Sequence, residues 1–585
     1  ILSASGWRKV FAVSGNEQDK NPEITPEDTA LSVIAAEVFY DYLVPIVKAK
    51  TGVDCPVIAI GMDTRPTGPA IADAMNRALL QKNCIIQFTG VSSAPEIMAF
   101  SKKIDGFIYI SASHNPVGHN GIKFGTNDGG VLNGTENAKL IEEFKKRLSA
   151  PDSCESALNR ISKTSANSIR TLYEQSAGAK HNALRAYEDF ARLTISGSED
   201  KEVQENFFEN IRDAVTLNRT GIVCDFNGSS RTLCIDRQFF RDNRIKFYEI
   251  NNGAGEFAHE IIPESENLVY VAAEMERLQK AGCKDAILGY MPDCDGDRGN
   301  IVYWDEKTQK ACILKAQEVF SLSVLAELTY TIWSSTDKNI RPAVAVNCPT
   351  SMRIEEITSK LGASVFRAEV GEANVVNLAR EKREEGYTVP ILGEGSNGGT
   401  ITYPAAVRDP LNTIFAILKL LTIRGGGLYE LWCEKSGQKY KDDYTLTDIL
   451  ESLPKYTTTG VSEPRAVLKV SSLDHTELKR NFQKKFESEW ESSPLRKKYG
   501  LESYRVAITN GTKERYDVSD WGESGKGGLK VIFYNKDKNP VAFIWMRGSG
   551  TEPVFRIMCD VKGSSETDIQ MEKDLLEWET KLLGE

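Results

Sequence analysis

Short apolar runs alternate with longer amphipathic stretches along most of the 585-residue chain. The apolar runs predict buried strands, at residues 57–60, 84–88, 106–110, 221–225, 286–288, 343–346, 365–368, 390–392 and 542–546. The amphipathic stretches between them predict helices, for example at residues 69–81, 93–102, 266–279 and 352–361. Alternation of this kind predicts α/β layers of parallel type with right-handed crossovers.

The length indicates more than one hydrophobic core, because about 150 residues per domain predicts about four domains. Residues 151–205 are polar and favour a connecting arm with a surface helix. A cluster of Pro, Thr and Gly near residues 453–463 precedes a segment of α+β pattern. We therefore predict four domains, at residues 1–205, 206–305, 306–452 and 453–585.

Composition excludes some classes of protein. The hydrophobic share of 41% and the charged share of 26% are ordinary for a soluble globular chain. We find no run of about 18 apolar residues, so we expect no membrane span. The net charge of −10 argues against a general attraction to nucleic acid. An anionic ligand must therefore be bound by local clusters of Arg, Lys and backbone N–H groups.

Cysteine usage bears on the compartment. The eleven cysteines include no CxxC or CxxH pair, and their number is odd. This pattern favours free thiols in a reducing environment, so we predict a cytoplasmic protein. The chain begins at Ile1 rather than Met, and no signal-peptide pattern is present in it.

The first chemical motif is Ser111-Ala112-Ser113-His114-Asn115-Pro116, directly after the strand predicted at residues 106–110. A serine at the carboxyl end of a strand, followed by histidine, is typical of a nucleophile at the edge of a cleft. Lys123 follows nearby and offers a cation and a proton carrier. The alternative is a polar turn at Asn115-Pro116.

The second motif is Asp293-Cys294-Asp295-Gly296-Asp297-Arg298. Three carboxylates at alternating positions in a tight turn can converge on one hard cation, and Mg²⁺ is the ion we expect. A calcium-binding EF-hand loop is rejected, because its sixth and twelfth positions would hold Arg298 and Trp304. The remaining alternative is a solvated acidic turn.

The third motif is Arg547-Gly548-Ser549-Gly550-Thr551-Glu552-Pro553, followed by Arg556. Its small residues allow backbone N–H groups to face an anion, and its Ser, Thr and Arg side chains add donors. It predicts a phosphate site, although the Walker pattern is absent. A structural glycine turn is the alternative.

The fourth motif, Gly393-Glu394-Gly395-Ser396-Asn397-Gly398-Gly399, also follows a strand. Its Glu394 and Ser396 could hydrogen-bond sugar hydroxyls, while its glycines permit close approach. Taken alone, a plain turn explains this motif equally well.

These four motifs, in this order, resemble those of the α-D-phosphohexomutase superfamily, which includes phosphoglucomutase, phosphomannomutase and phosphoglucosamine mutase. Three further segments add to the resemblance: Ser5-Gly6-Trp7-Arg8, Gly61-Met62-Asp63-Thr64-Arg65, and Pro263 with Glu266-Asn267-Leu268. The resemblance implies four domains around a central cleft, with three related α/β domains and a C-terminal α+β domain.

The resemblance also implies roles for matching positions. Ser113 would carry the phosphoryl group and bind Mg²⁺ together with the aspartates of the second motif: Asp293, Asp295 and Asp297. Residues surrounding the transferring group would be Arg8, His114, Lys123 and Arg298, with Lys123 as the general base. Substrate would be held by Glu394, Ser396, Arg408, Arg547, Ser549, Gly550 and Thr551.

The implied reaction interconverts hexose 1-phosphate and hexose 6-phosphate, of glucose or mannose, through a hexose 1,6-bisphosphate. The implied enzyme is a monomer or homodimer without a nucleic-acid or membrane partner. The sugar stays open, because Gly395, Asn397 and the turn from Gly371 to Asn374 depart from the loops typical of single-sugar members. The alternatives are a phosphoglucosamine mutase, a metal-dependent sugar phosphatase and a catalytically silent sugar-phosphate sensor.

Overall fold

The structure is a computed structural model that describes residues 2–3, 6–470, 474–548 and 554–584. The chain divides into two compact units. Unit 1 contains Ile1–Leu314 and Pro404–Leu418, and unit 2 contains Lys315–Tyr403 and Lys419–Glu585. We describe each unit separately.

The first sheet of unit 1 has the strand order β1-β2-β6-β5-β3-β4 within the described residues. Its strands are β1 (Leu2–Ser3), β2 (Gly6–Val10), β3 (Val57–Met62), β4 (Ile85–Val91), β5 (Gly106–Ile110) and β6 (His119–Thr126). The helices of this region are α1 (Pro26–Thr51), α2 (Gly68–Leu79), α3 (Ala94–Ser101), α4 (Gly134–Leu148), α5 (Ser153–Ser162), α6 (Ala166–Ser196) and α7 (Lys201–Asn218). Strand β5 is parallel to β3 and antiparallel to β6. In the pairing of β5 with β6, Lys123 lies opposite Tyr109, near the end of β5.

The second sheet of unit 1 has the order β11-β10-β9-β7-β8. Its strands are β7 (Gly221–Asp225), β8 (Lys246–Ile250), β9 (Ala286–Pro292), β10 (Gly299–Asp305) and β11 (Lys310–Ile313), with α8 (Asp236–Asp242) and α9 (Ser265–Lys280). Pro292 pairs with Gly299, so residues 293–298 form the turn of an antiparallel hairpin. The predicted domain boundary after residue 305 falls between the paired strands β10 and β11.

The first sheet of unit 2 has the order β13-β12-β14-β15. Its strands are β12 (Pro342–Asn347), β13 (Ser364–Ala368), β14 (Thr388–Glu394) and β15 (Gly399–Thr402). The helices of unit 2 up to residue 452 are α10 (Ala316–Ser334), α11 (Arg353–Lys360), α12 (Glu372–Glu384), α14 (Leu428–Ser436) and α15 (Leu446–Ser452). Helix α13 (Pro410–Thr422) has its first nine residues in unit 1 and its last four in unit 2. Glu394 ends β14, so the fourth motif begins at the carboxyl end of a strand that is parallel to its neighbour β12.

The second sheet of unit 2 is antiparallel, with the order β16-β22-β21-β20-β18-β19 and β17 paired to β22. Its strands are β16 (Tyr456–Thr458), β17 (Val467–Lys469), β18 (Ser503–Asn510), β19 (Lys513–Tyr516), β20 (Gly528–Tyr534), β21 (Pro540–Gly548) and β22 (Val554–Lys562). Its helices are α16 (His475–Trp490), α17 (Pro494–Tyr499) and α18 (Glu566–Leu583). Arg547 lies one residue before the end of β21, and it pairs with Arg556 of β22.

The predicted fold class, a mixed α/β chain with several α/β domains, is confirmed. All nine predicted strands and all four named helices are present, with ends shifted by a few residues. Strands β5, β7 and β12 are buried along their whole length, which is why their apolar runs are recognisable, whereas β4 and β13 are only partly buried. The other predicted domain boundaries stay predictions.

Residues 151–205, which the sequence predicts to contain a surface helix, include α6, a helix with one buried face. This helix packs against α3 and β4 and buries a narrow stripe of small and apolar residues, including Leu172, Ala179 and Ala183. Tyr187, on the same stripe, is 1% exposed. A stripe this narrow is outnumbered by polar residues, so the composition of the segment did not reveal it.

In the described part of the chain, α1 alone is long and apolar enough to span a membrane by length and composition, with a mean hydropathy of 1.6 over 18 residues. The sequence analysis expected no membrane span because it found no unbroken run of about 18 apolar residues. An unbroken run is a stricter requirement than a high mean hydropathy over 18 residues. In the structure 61% of that window is buried, and Val33, Ile34 and Phe39 pack in the core of unit 1. This is the environment of a core helix.

Candidate active site

The serine motif forms a turn at the end of β5, whose residues are all buried. Ser113 has a φ of 56°, in the left-handed region, which costs a residue with a side chain about 1–2 kcal/mol. Its N–H donates to Ser111 Oγ at 2.8 Å. Surrounding contacts therefore hold Ser113 in a conformation that it would not adopt alone.

Arg65 secures the same turn from its inner side. This fully buried arginine donates to the carbonyl oxygens of Ser113 at 2.7 Å, Asn115 at 2.6 Å and Pro116 at 2.5 Å. Asp63 pairs with Arg65 Nε at 3.2 Å. The sequence analysis noted residues 61–65 only as a segment that adds to the family resemblance. The available signal was two opposite charges next to a buried strand, a position that charged residues occupy only when paired.

The three aspartates of the second motif lie together in the β9–β10 turn. Asp293, Asp295 and Asp297 are all buried, and each offers a carboxylate oxygen within 4.8 Å of the others. Gly296, with a φ of 71°, closes the turn by donating its N–H to Asp293 O at 3.0 Å. A left-handed residue is required here, which explains the glycine.

The structure joins the serine turn to the aspartates. Ser113 Oγ donates to Asp293 Oδ2 at 3.0 Å. Ser111 Oγ and Lys123 Nζ both donate to Asp295 Oδ2, at 3.1 Å and 2.7 Å. Ser113, Lys123 and the three aspartates, which the sequence predicts to act together, therefore form one cluster. Ser111 is a further member that sequence reasoning did not assign to the site.

Electrostatics within the cluster favour a bound cation. Burial, Asp295 and Asp297 raise the pKa of Asp293 well above its usual range. Burial also acts to raise the pKa of Asp295, but the charge and hydrogen bond of Lys123, the charge of Arg408 and the hydrogen bond of Ser111 together outweigh it and hold that pKa below its usual range. Among the described residues, Asp295 Oδ1 and Asp297 Oδ1 are buried without a hydrogen-bond partner. Buried carboxylate oxygens in this state fit an oxygen-preferring divalent ion such as Mg²⁺.

Three arginines surround the aspartates. Arg408 Nη2 donates to Asp297 Oδ2 at 2.8 Å, and Arg298 Nε lies 3.9 Å from Asp293 Oδ2. Arg8 lies opposite Gly121 on the neighbouring strand β6, and burial lowers its pKa. These charges partly offset three carboxylates in a site that excludes water.

His114, which the resemblance places around the transferring group, lies beside the serine. Its Nδ1 lies 3.4 Å from Ser113 Oγ. The charge of Arg298, burial and the charge of Arg8 lower its pKa well below the usual range. The ring is therefore neutral at pH 7 and offers a hydrogen bond rather than a charge.

In unit 2, the fourth motif makes contacts that its sequence did not reveal. Glu394 Oε1 accepts from Gly371 N at 2.8 Å and from Asn347 Nδ2 at 3.2 Å. The same Asn347 amide donates to Ser396 Oγ at 3.0 Å. Glu394 and Ser396 are therefore brought together as predicted, and the turn at Gly371 is attached to them. Asn347, at the end of β12, was missed.

Arg547 of the third motif is held by Glu369. Arg547 Nε lies 2.8 Å from Glu369 Oε1, while Glu369 Oε2 accepts from Thr509 Oγ1 at 2.8 Å and from Gly528 N at 2.5 Å. A carboxylate fixed at both oxygens gives the guanidinium a defined orientation. The other residues predicted for this motif lie outside the described part of the chain: Ser549, Gly550 and Thr551.

The predicted residues divide between the units. Those of unit 1 are Arg8, Ser113, His114, Lys123, Asp293, Asp295, Asp297, Arg298 and Arg408, and those of unit 2 are Glu394, Ser396 and Arg547. Arg408, which the sequence analysis grouped with the substrate contacts, lies against Asp297.

Comparison with known proteins finds similarity to phosphoglucomutases and phosphomannomutases. The family model described as phosphoglucomutase/phosphomannomutase, alpha/beta/alpha domain I, matches residues 29–150, and the model of domain III of the same family matches residues 323–438. A phosphoglucomutase/phosphomannomutase of Thermococcus kodakarensis is 25% identical over 583 residues, 99% of each chain.

Two further proteins extend the comparison. A probable phosphoglucosamine mutase of Methanopyrus kandleri is 25% identical over 435 residues, 73% of this chain and 79% of its own. The solved structure of parafusin, a phosphoglucomutase from Paramecium in its open form, matches with a TM-score of 0.62 and 15% identity over 100% of this chain and 94% of its own. At that identity the structural match shows a shared fold.

Proposed function

We propose that the chain is a magnesium-dependent phosphohexomutase that works through a phosphorylated Ser113, because two models of the phosphoglucomutase/phosphomannomutase family match residues 29–150 and 323–438. The observation that carries the proposal is the position of Ser113 Oγ, 3.0 Å from a carboxylate of a buried aspartate triad. A serine with no adjacent cation site would have no means of stabilising phosphoryl transfer.

The residues that would hold Mg²⁺ are Asp293, Asp295, Asp297 and the phosphate on Ser113. The two buried carboxylate oxygens that lack partners among the described residues support this assignment. When bound, Mg²⁺ would withdraw charge from the phosphoryl oxygens and from the departing ester oxygen.

The side chains of unit 1 supply the remaining chemistry. In one direction the P–O bond to Ser113 breaks and a P–O bond to a sugar hydroxyl oxygen forms. The hydroxyl proton passes to Lys123 Nζ, and Ser113 Oγ takes up a proton as it leaves, so that the serine hydroxyl is restored. The 2.7 Å contact of Lys123 Nζ with Asp295 Oδ2 keeps this proton carrier in place. Arg8 and Arg298 offset charge on the transferring group, and His114 donates a hydrogen bond to it.

The side chains of unit 2 would recognise the sugar. Glu394 and Ser396 would bind its hydroxyls, and Arg547 the phosphate that is not transferred. We propose glucose or mannose phosphates as substrates, since the relative aligned over 99% of the chain is named for both sugars. A second candidate is glucosamine phosphate, which the shorter match to a probable phosphoglucosamine mutase supports.

A coupled assay with the 1-phosphates of glucose, mannose and glucosamine tests the proposal. It is run with and without Mg²⁺ and with and without a trace of the hexose 1,6-bisphosphate. We expect formation of 6-phosphates from at least one sugar that depends on both additions. Rapid release of inorganic phosphate without isomerisation would instead identify a sugar phosphatase.

Ser113→Ala should lose at least ~10³-fold in kcat, because it removes the covalent acceptor of the phosphoryl group. Intact-mass measurement after incubation with hexose 1,6-bisphosphate should show one added phosphate on the wild type and none on the variant. Ser149→Ala, at the exposed end of α4, is the matched control and should behave as wild type. Near-normal turnover of Ser113→Ala would refute the proposal.

A further inference from the structure

A second group of buried polar side chains lies next to the aspartate turn, all of it in unit 1. We call it the Arg231 cluster: Arg231, Asp236, Asp409, Tyr187 and Tyr290. Its centre is Arg231, in the 3₁₀ turn Ser230–Leu233, which is 0% exposed. None of the five residues belongs to a motif that the proposed function uses.

The guanidinium of Arg231 donates hydrogen bonds to four different residues. Its Nε donates to Asp236 Oδ1 at 2.8 Å and its Nη2 to Tyr187 OH at 3.0 Å. Its Nη1 donates to Asp409 Oδ1 at 3.3 Å and to the carbonyl oxygen of Gly296 at 3.0 Å. The last contact is with the aspartate turn itself, because Gly296 lies between Asp295 and Asp297.

Packing reinforces that hydrogen bond. A Cβ at Gly296 would lie 2.5 Å from Arg231 Cγ and 3.0 Å from its Cδ, so the arginine stem lies directly against the turn. The neighbouring Ser230 N–H donates to the carbonyl oxygen of Cys294 at 2.9 Å. The segment around Arg231 therefore contacts the turn at two backbone positions.

A second connection runs through Asp409. Tyr187 OH donates to Asp409 Oδ2 at 2.7 Å, so both Asp409 oxygens are engaged by the cluster. Asp409 follows Arg408 in the chain, and Arg408 Nη2 donates to Asp297 Oδ2 at 2.8 Å. Arg231 thus contacts the aspartate turn directly. It also holds Asp409, whose neighbour Arg408 donates to Asp297 in that turn.

The chemistry of the group calls for arginine in particular. A planar guanidinium offers five donors in fixed directions, whereas a lysine ammonium is a flexible point charge with three. One arginine offsets two buried carboxylates, Asp236 and Asp409, which would otherwise be unpaired away from water.

From these contacts we propose that Arg231 is a positioning residue for the metal site. Its guanidinium holds the Asp295-Gly296-Asp297 turn, and through Asp409 the side chain of Arg408, in the arrangement that binds the divalent cation. The inference rests on the proposed function, in which that turn is the Mg²⁺ site. Residues that orient metal ligands in this way commonly change metal affinity or activity by about 10–100-fold when they are replaced.

The test compares Arg231→Lys with wild type in the full chain. Binding of Mn²⁺, measured by the loss of free-ion EPR signal, reports on the site without any turnover. We expect the Kd for Mn²⁺ to rise at least ~10-fold and kcat to fall by a similar factor, with KM for the hexose phosphate changed less than about twofold. Circular dichroism checks that the variant is folded.

Two further variants keep the test decisive. Tyr187→Phe removes one hydroxyl that joins Arg231 to Asp409 and leaves both charges, so it should weaken Mn²⁺ binding by about threefold even if Arg231→Lys does not fold. Arg353→Lys is the matched control, because Arg353 is a buried arginine of unit 2 that donates to Tyr456 O. It should bind Mn²⁺ as wild type does.

The outcomes separate this inference from the proposed function. Mn²⁺ binding within twofold of wild type in a folded Arg231→Lys overturns the inference, as does a rise in KM alone. A wild-type protein without mutase activity overturns the proposed function instead. In that case the Mn²⁺ measurements still decide whether Arg231 positions a cation site.

Discussion

Individual residues at the candidate site are arranged at the expense of stability. Ser113 adopts a left-handed backbone, and three buried aspartates lie close enough to share a ligand. Like charges in a low-dielectric environment repel strongly unless a cation or a proton intervenes. The raised pKa of Asp293 is the direct sign of this repulsion and of burial. The arrangement is therefore explained by chemistry rather than by folding.

Asp293→Asn should raise Tm in the presence of a chelator, because the amide carries no charge to bury. The folded-state pKa of Asp293 lies above its unfolded value, so the stability it contributes is complete below about pH 4 and is lost as pH rises toward neutral. The advantage of the variant should therefore grow as pH rises from 4 toward neutral.

Differential scanning calorimetry across pH 4–8 measures this effect. Adding Mg²⁺ should reverse the order, since only the wild type retains the full ligand set. Asp442→Asn, which replaces an exposed carboxylate, is the control and should follow the wild type. A chelator-treated Asp293→Asn that melts below the wild type at pH 7 would contradict the argument.

Secondary-structure elements place these residues. The serine turn begins where the buried strand β5 ends, and the aspartates occupy the turn of the β9–β10 hairpin. In unit 2, Glu327 of α10 forms an ion pair with Lys419. Lys419 Nζ lies 2.9 Å from both oxygens of Glu327, and both side chains are almost fully buried. Neither charge has access to water, so each depends on the other.

Lys419→Met should destabilise the protein by about 3–5 kcal/mol, because it leaves the buried carboxylate of Glu327 without its partner. The double variant Lys419→Met with Glu327→Met should recover most of that loss, since two apolar side chains can replace a buried pair. Thermal unfolding of the four-member mutant cycle measures both effects. Additive losses in the double variant would show that the two side chains act independently.

At the scale of the whole molecule, the proposed chemistry lies in unit 1 and the proposed recognition in unit 2. Arg547→Ala should therefore raise KM at least ~10-fold with a smaller change in kcat, because a charge-assisted phosphate contact is lost. Lys123→Met should instead lower kcat by ~10²–10⁴-fold, as expected when a general base is removed.

Steady-state kinetics of both variants with the preferred hexose phosphate test this division. Arg505→Ala is the control, because Arg505 is an exposed arginine on the same sheet as Arg547 and is paired with Asp517. It should leave both constants unchanged. An unchanged KM in Arg547→Ala would count against its assignment to phosphate binding.

The sequence by itself determined the features that depend on neighbours in the chain. Buried strands are marked by short apolar runs, and the serine and aspartate motifs follow them directly, so both the fold class and the core of the site could be predicted. Ser113, Lys123 and Asp293 are examples, because their residue types and positions predicted a nucleophile, a proton carrier and a cation ligand. The resemblance to a known family extended this to the roles of individual residues.

Only the tertiary structure decided which supporting residues act on that site. Arg231 is separated from Asp409 by 178 residues, and Ser113 from Asp293 by 180, so no local pattern relates them. The neutral state of His114 likewise depends on arginines from three distant segments. Burial and charge–charge interactions depend on distance in space, and chain order does not specify that distance until the polypeptide has folded.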